Sequence, residues 1–187
     1  ITINLNGCIQ LKNYSIKVEV QKTDNHITGD YFSLIARSQN TDLPGESLGY
    51  YSAEVVCDAC EGTDSTGHRY LFRLVERDRQ NQLVGTPLAS IDLKPAEIPF
   101  TAGVKHSLEV SVLDNTLIAK FWNSSEPDPA DDATEESRVA DCASEVPTCG
   151  ITITSNDLEF TQGNIGLSTN TNINNFDNLA LSRVESN

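Results

Sequence analysis

An all-β fold, a sandwich of two antiparallel sheets, is predicted for this chain by three features of its sequence. Apolar residues alternate with polar ones over many short runs. Turn residues separate those runs. No window carries the sustained apolar stripe of an amphipathic helix. The 187 residues suffice for one domain with a real core, so a single domain over 1–187 is expected.

The runs can be taken in order. Tyr14, Ile16, Val18 and Val20 alternate with Ser15, Lys17, Glu19 and Gln21, the pattern of a half-buried antiparallel strand. "DYFSLIAR", "GYYSAEVV", "RYLFRLVE" and "PLASIDL" follow as further strand candidates. In "HSLEVSVLDNTLIAKFW", Leu108, Val110 and Val112 share one face, Asp114-Asn115 is a turn pair, and Leu117, Ala119 and Phe121 resume the pattern. That is a β-hairpin. "DLEFTQ", "GNIGLST" and "LALSRV" complete the candidates.

Thirteen basic residues against 27 acidic ones give a formal charge of −14. Such a surface repels phosphate backbones and anionic lipid, so nucleic acid is a poor partner and membrane insertion is not expected. No apolar run approaches the roughly 18 residues of a membrane helix. The chain opens at Ile1-Thr2-Ile3 and contains no Met, which reads as a mature protein or an excised module whose export signal has been removed.

Five cysteines, Cys8, Cys57, Cys60, Cys142 and Cys149, form two close pairs and one odd residue. Disulfides within Cys57/Cys60 and Cys142/Cys149 in an oxidising, extracellular or cell-surface setting are the first reading. A zinc site built from the same four is the rival, although six residues separate the second pair.

Residues 123–150 break the strand rhythm. Eight acids and one arginine fall within 126–145, a net −7, with three prolines across the segment. A long acidic loop insertion is expected there. The plain reading is a solvated loop tied at its base by Cys142 and Cys149. The sharper one is a divalent-cation loop using Asp128, Asp131, Asp132, Glu135 and Glu136, although an EF-hand's glycine and spacing are missing.

The strand order, closing on "GNIGLSTNTNINNFDNLAL", resembles the concanavalin A-like jelly rolls, most nearly the laminin-G-like modules and related carbohydrate-binding domains of secreted proteins. The likeness spans nearly the whole chain through loose motifs. It implies two packed antiparallel sheets, one concave, with the chain ends close together. It also implies a structural calcium ion held by an aspartate before the last strand, here Asp177, with Asn4, Asn6 and Gly7 nearby and Asp30 or Asp24 as a second carboxylate. Alternatively Asp177 only caps a turn. Phe176 is core in either case.

The same resemblance points to a ligand face at Arg37, Tyr50, Tyr51 and Arg73, with Trp122 as a stacking platform beside the acidic loop. Each has a plainer role open to it. Tyr50 and Tyr51 face opposite sides, so one belongs to the core; Trp122 can be a half-buried rim residue, and the arginines can pair with carboxylates. The "FWNSSEPDP" stretch departs from the family's short tryptophan loop into the acidic insertion.

Catalytic signatures are missing. There is no Glu-x-Asp-x-x-Glu strand, no GxSxG elbow, no glycine-rich phosphate loop, and His26, His68 and His106 lack metal-ligand spacing. The expectation is therefore a non-catalytic extracellular recognition module for a glycan or surface polymer, flanked by neighbouring domains of the same polypeptide. A protein-adhesion or spacer module, and a glycan-active hydrolase or lyase, are the alternatives.

Overall fold

A computed structural model describes residues 2–5, 12–22, 28–39, 49–60, 68–78, 80–93, 103–125, 128, 150–155, 160, 162–170 and 174–184. Among these residues eleven strands run in chain order: β1 (Thr2–Leu5), β2 (Tyr14–Lys22), β3 (Tyr31–Ser38), β4 (Tyr50–Ala59), β5 (Arg69–Arg77), β6 (Ala89–Leu93), β7 (Lys105–Leu113), β8 (Thr116–Asn123), β9 (Gly150–Ser155), β10 (Asn164–Thr169) and β11 (Asn174–Arg183). No helix occurs among the described residues, and none is long and apolar enough to cross a membrane.

The strands form a six-stranded sheet in the order β1-β10-β3-β4-β5-β6 and a five-stranded sheet in the order β11-β2-β7-β8-β9, with every pairing antiparallel. Neighbours in each sheet are often distant in sequence, as a jelly roll requires. β6 of one sheet contacts β9 of the other, so β1 and β11, the first and last strands, fall at the opposite edge of the sandwich. The two strands share an edge but the chain ends do not meet. Thr2 pairs with Ser168 at the end where β10 finishes and β11 starts, whereas Arg183 pairs with Tyr14 at the far end, so the expectation that the ends lie together is not met.

Period-two patterning becomes burial. Along β2 the residues alternate strictly between buried and partly exposed. Tyr14, Ile16, Val18 and Val20 meet Leu108, Val110, Val112, Leu117, Ala119 and Phe121 from their own sheet, and Phe32, Leu34, Ala53, Val55, Phe72 and Leu74 from the other. Each such side chain contributes about 1.5–3 kcal/mol on full burial. The hairpin pairs Leu113 with Thr116 around Asp114-Asn115, as read. Phe176 is half-buried against this core, its ring 6.4 Å from that of Phe32.

Two strands escaped the sequence reading, β1 and β9, and "DLEFTQ" yields no strand at its described residues Phe160 and Gln162. In β9 the alternation of Ile151 and Ile153 with Thr152 and Thr154 was present in the sequence but sat against the acidic segment.

Cys57 and Cys60 form a disulfide with a Cα–Cα distance of 5.9 Å, so this pair offers no thiolates to zinc. The Cys57 amide donates to the Asp30 carbonyl at 2.7 Å and the Cys60 amide to Thr28 Oγ1 at 2.9 Å, which clips the end of β4 to the approach of β3. Cys8, Cys142 and Cys149 lie outside the described residues, as does most of the acidic segment. Its Asp128 ion-pairs with Lys17 at 3.0 Å on the outer face of the five-stranded sheet.

Candidate functional site

The outer face of the six-stranded sheet carries a polar centre. Since Tyr51, Ala53 and Val55 of β4 and Tyr70, Phe72 and Leu74 of β5 point into the core, Tyr50 and Glu54 of β4 and Arg73 and Arg77 of β5 point outward. Register places Glu54 directly opposite Arg73. Arg73 Nε and Nη2 donate to Glu54 Oε2 at 3.1 and 3.0 Å. Arg77, two positions along the same face, reaches back and donates through Nη2 to Oε2 at 2.9 Å and through Nε to Oε1. The Glu54 side chain is fully buried, whereas those of Arg73 and Arg77 keep 18% and 10% exposure. Two guanidinium groups on one carboxylate leave an excess of one positive charge in an otherwise acidic protein. Burial works against the charge on Arg77, but the hydrogen bond and charge of Glu54 lift its pKa above the usual arginine value.

The segment after β5 turns back over this centre. Asp78 Oδ1 accepts from the Gln80 and Gln82 amides at 2.9 and 2.7 Å, an Asx turn. That turn sets Asn81 at φ 64°, a left-handed conformation asparagine tolerates. Arg77 Nη1 donates to the Asn81 carbonyl at 2.7 Å. The Asn81 side chain then spans two phenols: Nδ2 donates to the Tyr31 hydroxyl at 3.0 Å, and Oδ1 accepts from Tyr50. The Arg77 guanidinium lies 5.4 Å above the Tyr31 ring. Burial, with Glu54, Tyr31 and Asp78 adding to it and Arg77 opposing, pushes the Tyr50 phenol up to about 12. The result is a set of flat polar groups, guanidinium, amide and phenol, held in place by one another, with Asn81 exposed and Tyr50 half-buried.

Of the residues expected on a ligand face, Tyr50 and Arg73 belong to this centre. The other three do not. Tyr51 is a fully buried core residue whose hydroxyl accepts from the Phe160 amide at 3.2 Å. Arg37 is fully buried; a bulge between β3 and β10 and a left-handed φ of 51° take it out of the strand alternation. Its guanidinium donates to the carbonyls of Phe160, Lys12 and Asp114 rather than to solvent. Trp122 faces outward from the five-stranded sheet by alternation with Phe121, yet only 1% of it is exposed, and Lys17 Nζ sits 4.5 Å from its ring centroid. Glu54, Arg77, Asn81 and Tyr31 were missed. The signal for Arg77 was its place four residues from Arg73 on one strand face; Glu54 becomes visible only when β4 and β5 are paired.

Of the expected calcium ligands, Asp177 and Asp30 have described side chains, and these two do not converge. Asp177 is exposed on the outer face of the five-stranded sheet, opposite Glu19. Its Oδ1 accepts from the Asn178 amide at 2.8 Å in a bulge of β11. The cation beside it is Lys105, whose Nζ lies 3.1 Å from Glu19 and 3.4 Å from Asp177. Asp30 is buried, and its charge is felt by the inward-pointing Tyr70, so the two carboxylates stand on opposite faces of the five-stranded sheet. Asn4 has a described backbone in β1, paired with Gly166, while Asn6, Gly7 and Asp24 lie outside the described residues. No group of three or more His, Cys, Asp or Glu that could hold a metal occurs among the described residues. Asp177 and Asp30 therefore do not share an ion.

No protein-family model matches the chain, and no curated protein matches it by sequence. Solved structures match by shape. The carbohydrate-binding module CBM66 from Bacillus subtilis aligns with a TM-score of 0.52 at 12% identity, covering 97% of this chain and 94% of that one. The legume lectin-like domain from Entamoeba histolytica gives 0.51 at 10%, covering 98% and 78%. The enzymatically active domain of tailspike protein 2 from bacteriophage CBA120 gives 0.54 at 9%, covering 99% of this chain but 24% of that one, so the chain spans about a quarter of the tailspike's length. At such identities the likeness is one of fold: the chain is a concanavalin A-like jelly-roll sandwich, the architecture of carbohydrate-binding modules and lectin-like domains.

Proposed function

We propose that this protein is a non-catalytic, extracellular carbohydrate-recognition module, one unit of a longer polypeptide. It engages glycans through the outer face of the six-stranded sheet around Tyr50, Arg73 and Asn81. The observation that carries this reading is the Glu54 carboxylate clamped by Arg73 and Arg77, with the Asn81 amide bridging Tyr31 and Tyr50 beside it. Planar donors and acceptors fixed in advance match vicinal hydroxyls without an ordering cost on binding. The architecture shared with CBM66 and the lectin-like domain supports the same reading. The Cys57–Cys60 disulfide supports an oxidising compartment.

Hydrolysis is the weaker reading. Glycosidases need two carboxyl groups across the scissile bond, whereas the partners of Glu54 are arginines. A protein-adhesion role draws on one observation, the exposed Leu179 and Leu181 on edge strand β11, 41% and 51% accessible.

A glycan array followed by titration of the best hit tests the proposal. Asn81→Ala and Tyr50→Phe should each weaken binding about fivefold or more, since each removes a hydrogen-bonding group. Full affinity in both variants, or an array without a hit, would remove the sheet face from consideration.

A further inference from the structure

A second feature lies at the end of the sandwich where β2 begins and β7 turns into β8. Lys12, Asn13, Asp114, Asn115 and Gln162 line a cleft of 340 Å³ there. That volume is near the lower end of small-molecule pockets, roughly 300–1,000 Å³. All five lining residues are polar. One is basic and one acidic, so the walls carry no net charge.

The cleft is held from beneath. Buried Arg37 donates Nη2 to the carbonyls of Lys12 (3.3 Å) and Asp114, and Nη1 to that of Phe160 at 2.6 Å. One side chain thus ties together three chain segments that make the walls. Among the described residues no carboxylate ion-pairs with this guanidinium, and its buried Nε has no hydrogen-bond partner. Gly163 allows the close approach, because a Cβ there would lie 2.5 Å from the Arg37 carbonyl carbon. The Asn13 side chain fixes the turn from above, its Oδ1 accepting from the Asp114 amide at 2.9 Å and its Nδ2 donating to Asp114 Oδ1 at 3.3 Å. Lys12 Nζ, the Asn115 amide and Asp114 Oδ2 make no hydrogen bond to described residues and are left facing solvent.

We propose that this cleft is a binding site for the end of a neutral sugar. No apolar side chain lines the cleft, and an anion meets the Asp114 carboxylate. A pair of vicinal hydroxyls, each able to donate and to accept, satisfies the set: one donates to Asp114 Oδ2 while accepting from Lys12 Nζ, and the next pairs with the Asn115 amide. The site shares no residue with the Tyr50–Arg73–Asn81 surface, so each can fail without the other.

The test is NMR titration of the 15N-labelled protein with the methyl glycosides of glucose, mannose and galactose, with sodium phosphate as a separate arm. At least one glycoside should shift the Asn115 side-chain amide and the Asp114 backbone amide saturably. Asp114→Asn, which suits the left-handed turn, and Lys12→Gln, at an exposed position, should each weaken that response roughly tenfold while melting as the parent does. No response at these signals, unchanged affinity in both variants, or an equal response to phosphate would each overturn the assignment. A response confined to Tyr50, Arg73 and Asn81 would overturn it too, leaving the sheet-face reading intact.

Discussion

Lys22 Nζ, carried by the five-stranded sheet, donates to the Tyr70 hydroxyl of the six-stranded sheet at 3.0 Å across the sandwich interior. Lys22 occupies the inward position that continues Ile16, Val18 and Val20, and only 1% of it is exposed. Its ammonium lies 5.4 Å from the Tyr70 ring centroid as well. Tyr70→Phe removes one acceptor from a buried cation and should cost about 1.5–3 kcal/mol in urea denaturation. Lys22→Met, which takes away the cation and leaves the Tyr70 hydroxyl without this donor, should cost at least as much. No loss from Tyr70→Phe would show that the hydrogen bond contributes nothing.

Glu54→Gln should be among the most damaging single changes on the outer face. It leaves Arg73 and Arg77 without their counter-charge in a largely desolvated setting, at a cost of about 3 kcal/mol or more. Arg73→Ala should cost less, since Arg77 still pairs with the carboxylate. Chemical denaturation of the two variants orders them.

The protein should lose stability in alkali through Tyr14. Burial, partly offset by the Arg37 amide and charge, pushes this phenol from 10.0 up to about 12. Below about pH 10 the folded and unfolded chains both keep the proton, and the contribution is fully present. Between about pH 10 and 12 the unfolded chain ionises first, so stability falls by up to about 2–3 kcal/mol, then levels once the folded form ionises as well. Denaturation midpoints across that window, compared with those of Tyr14→Phe, measure it. A parent curve no steeper than the variant's would refute the assignment.

Asp177→Asn should change stability by no more than about 0.5 kcal/mol, equally in calcium and in chelator. The residue is exposed, its ion pair to Lys105 spans 3.4 Å, and the asparagine oxygen can still accept from the Asn178 amide. A melting temperature that falls only in the calcium sample would restore Asp177 as a metal ligand.

The division between what was legible and what was not follows from the range of the forces. Val18, Leu108, Val110 and Phe121 announced their burial through spacing alone, because a strand's side chains alternate whatever the strand packs against. The Cys57–Cys60 bond, across a separation of three residues, and the Asp114-Asn115 turn are equally local. Alternation also divides Tyr50 from Tyr51 but does not say which one meets water; the packing of β4 against the other sheet does. Trp122 stands on an outer face and is nevertheless buried, and Arg37 leaves its face through a bulge and a positive φ. The clamp on Glu54 and the Lys105 ammonium beside Asp177 join residues 19 and 72 positions apart. Residue patterning therefore settled the sandwich and its core, since hydrophobic burial needs only the right face. The polar sites needed strand register and loop placement, since hydrogen bonds and ion pairs act over a few ångströms between groups that only the folded chain brings together.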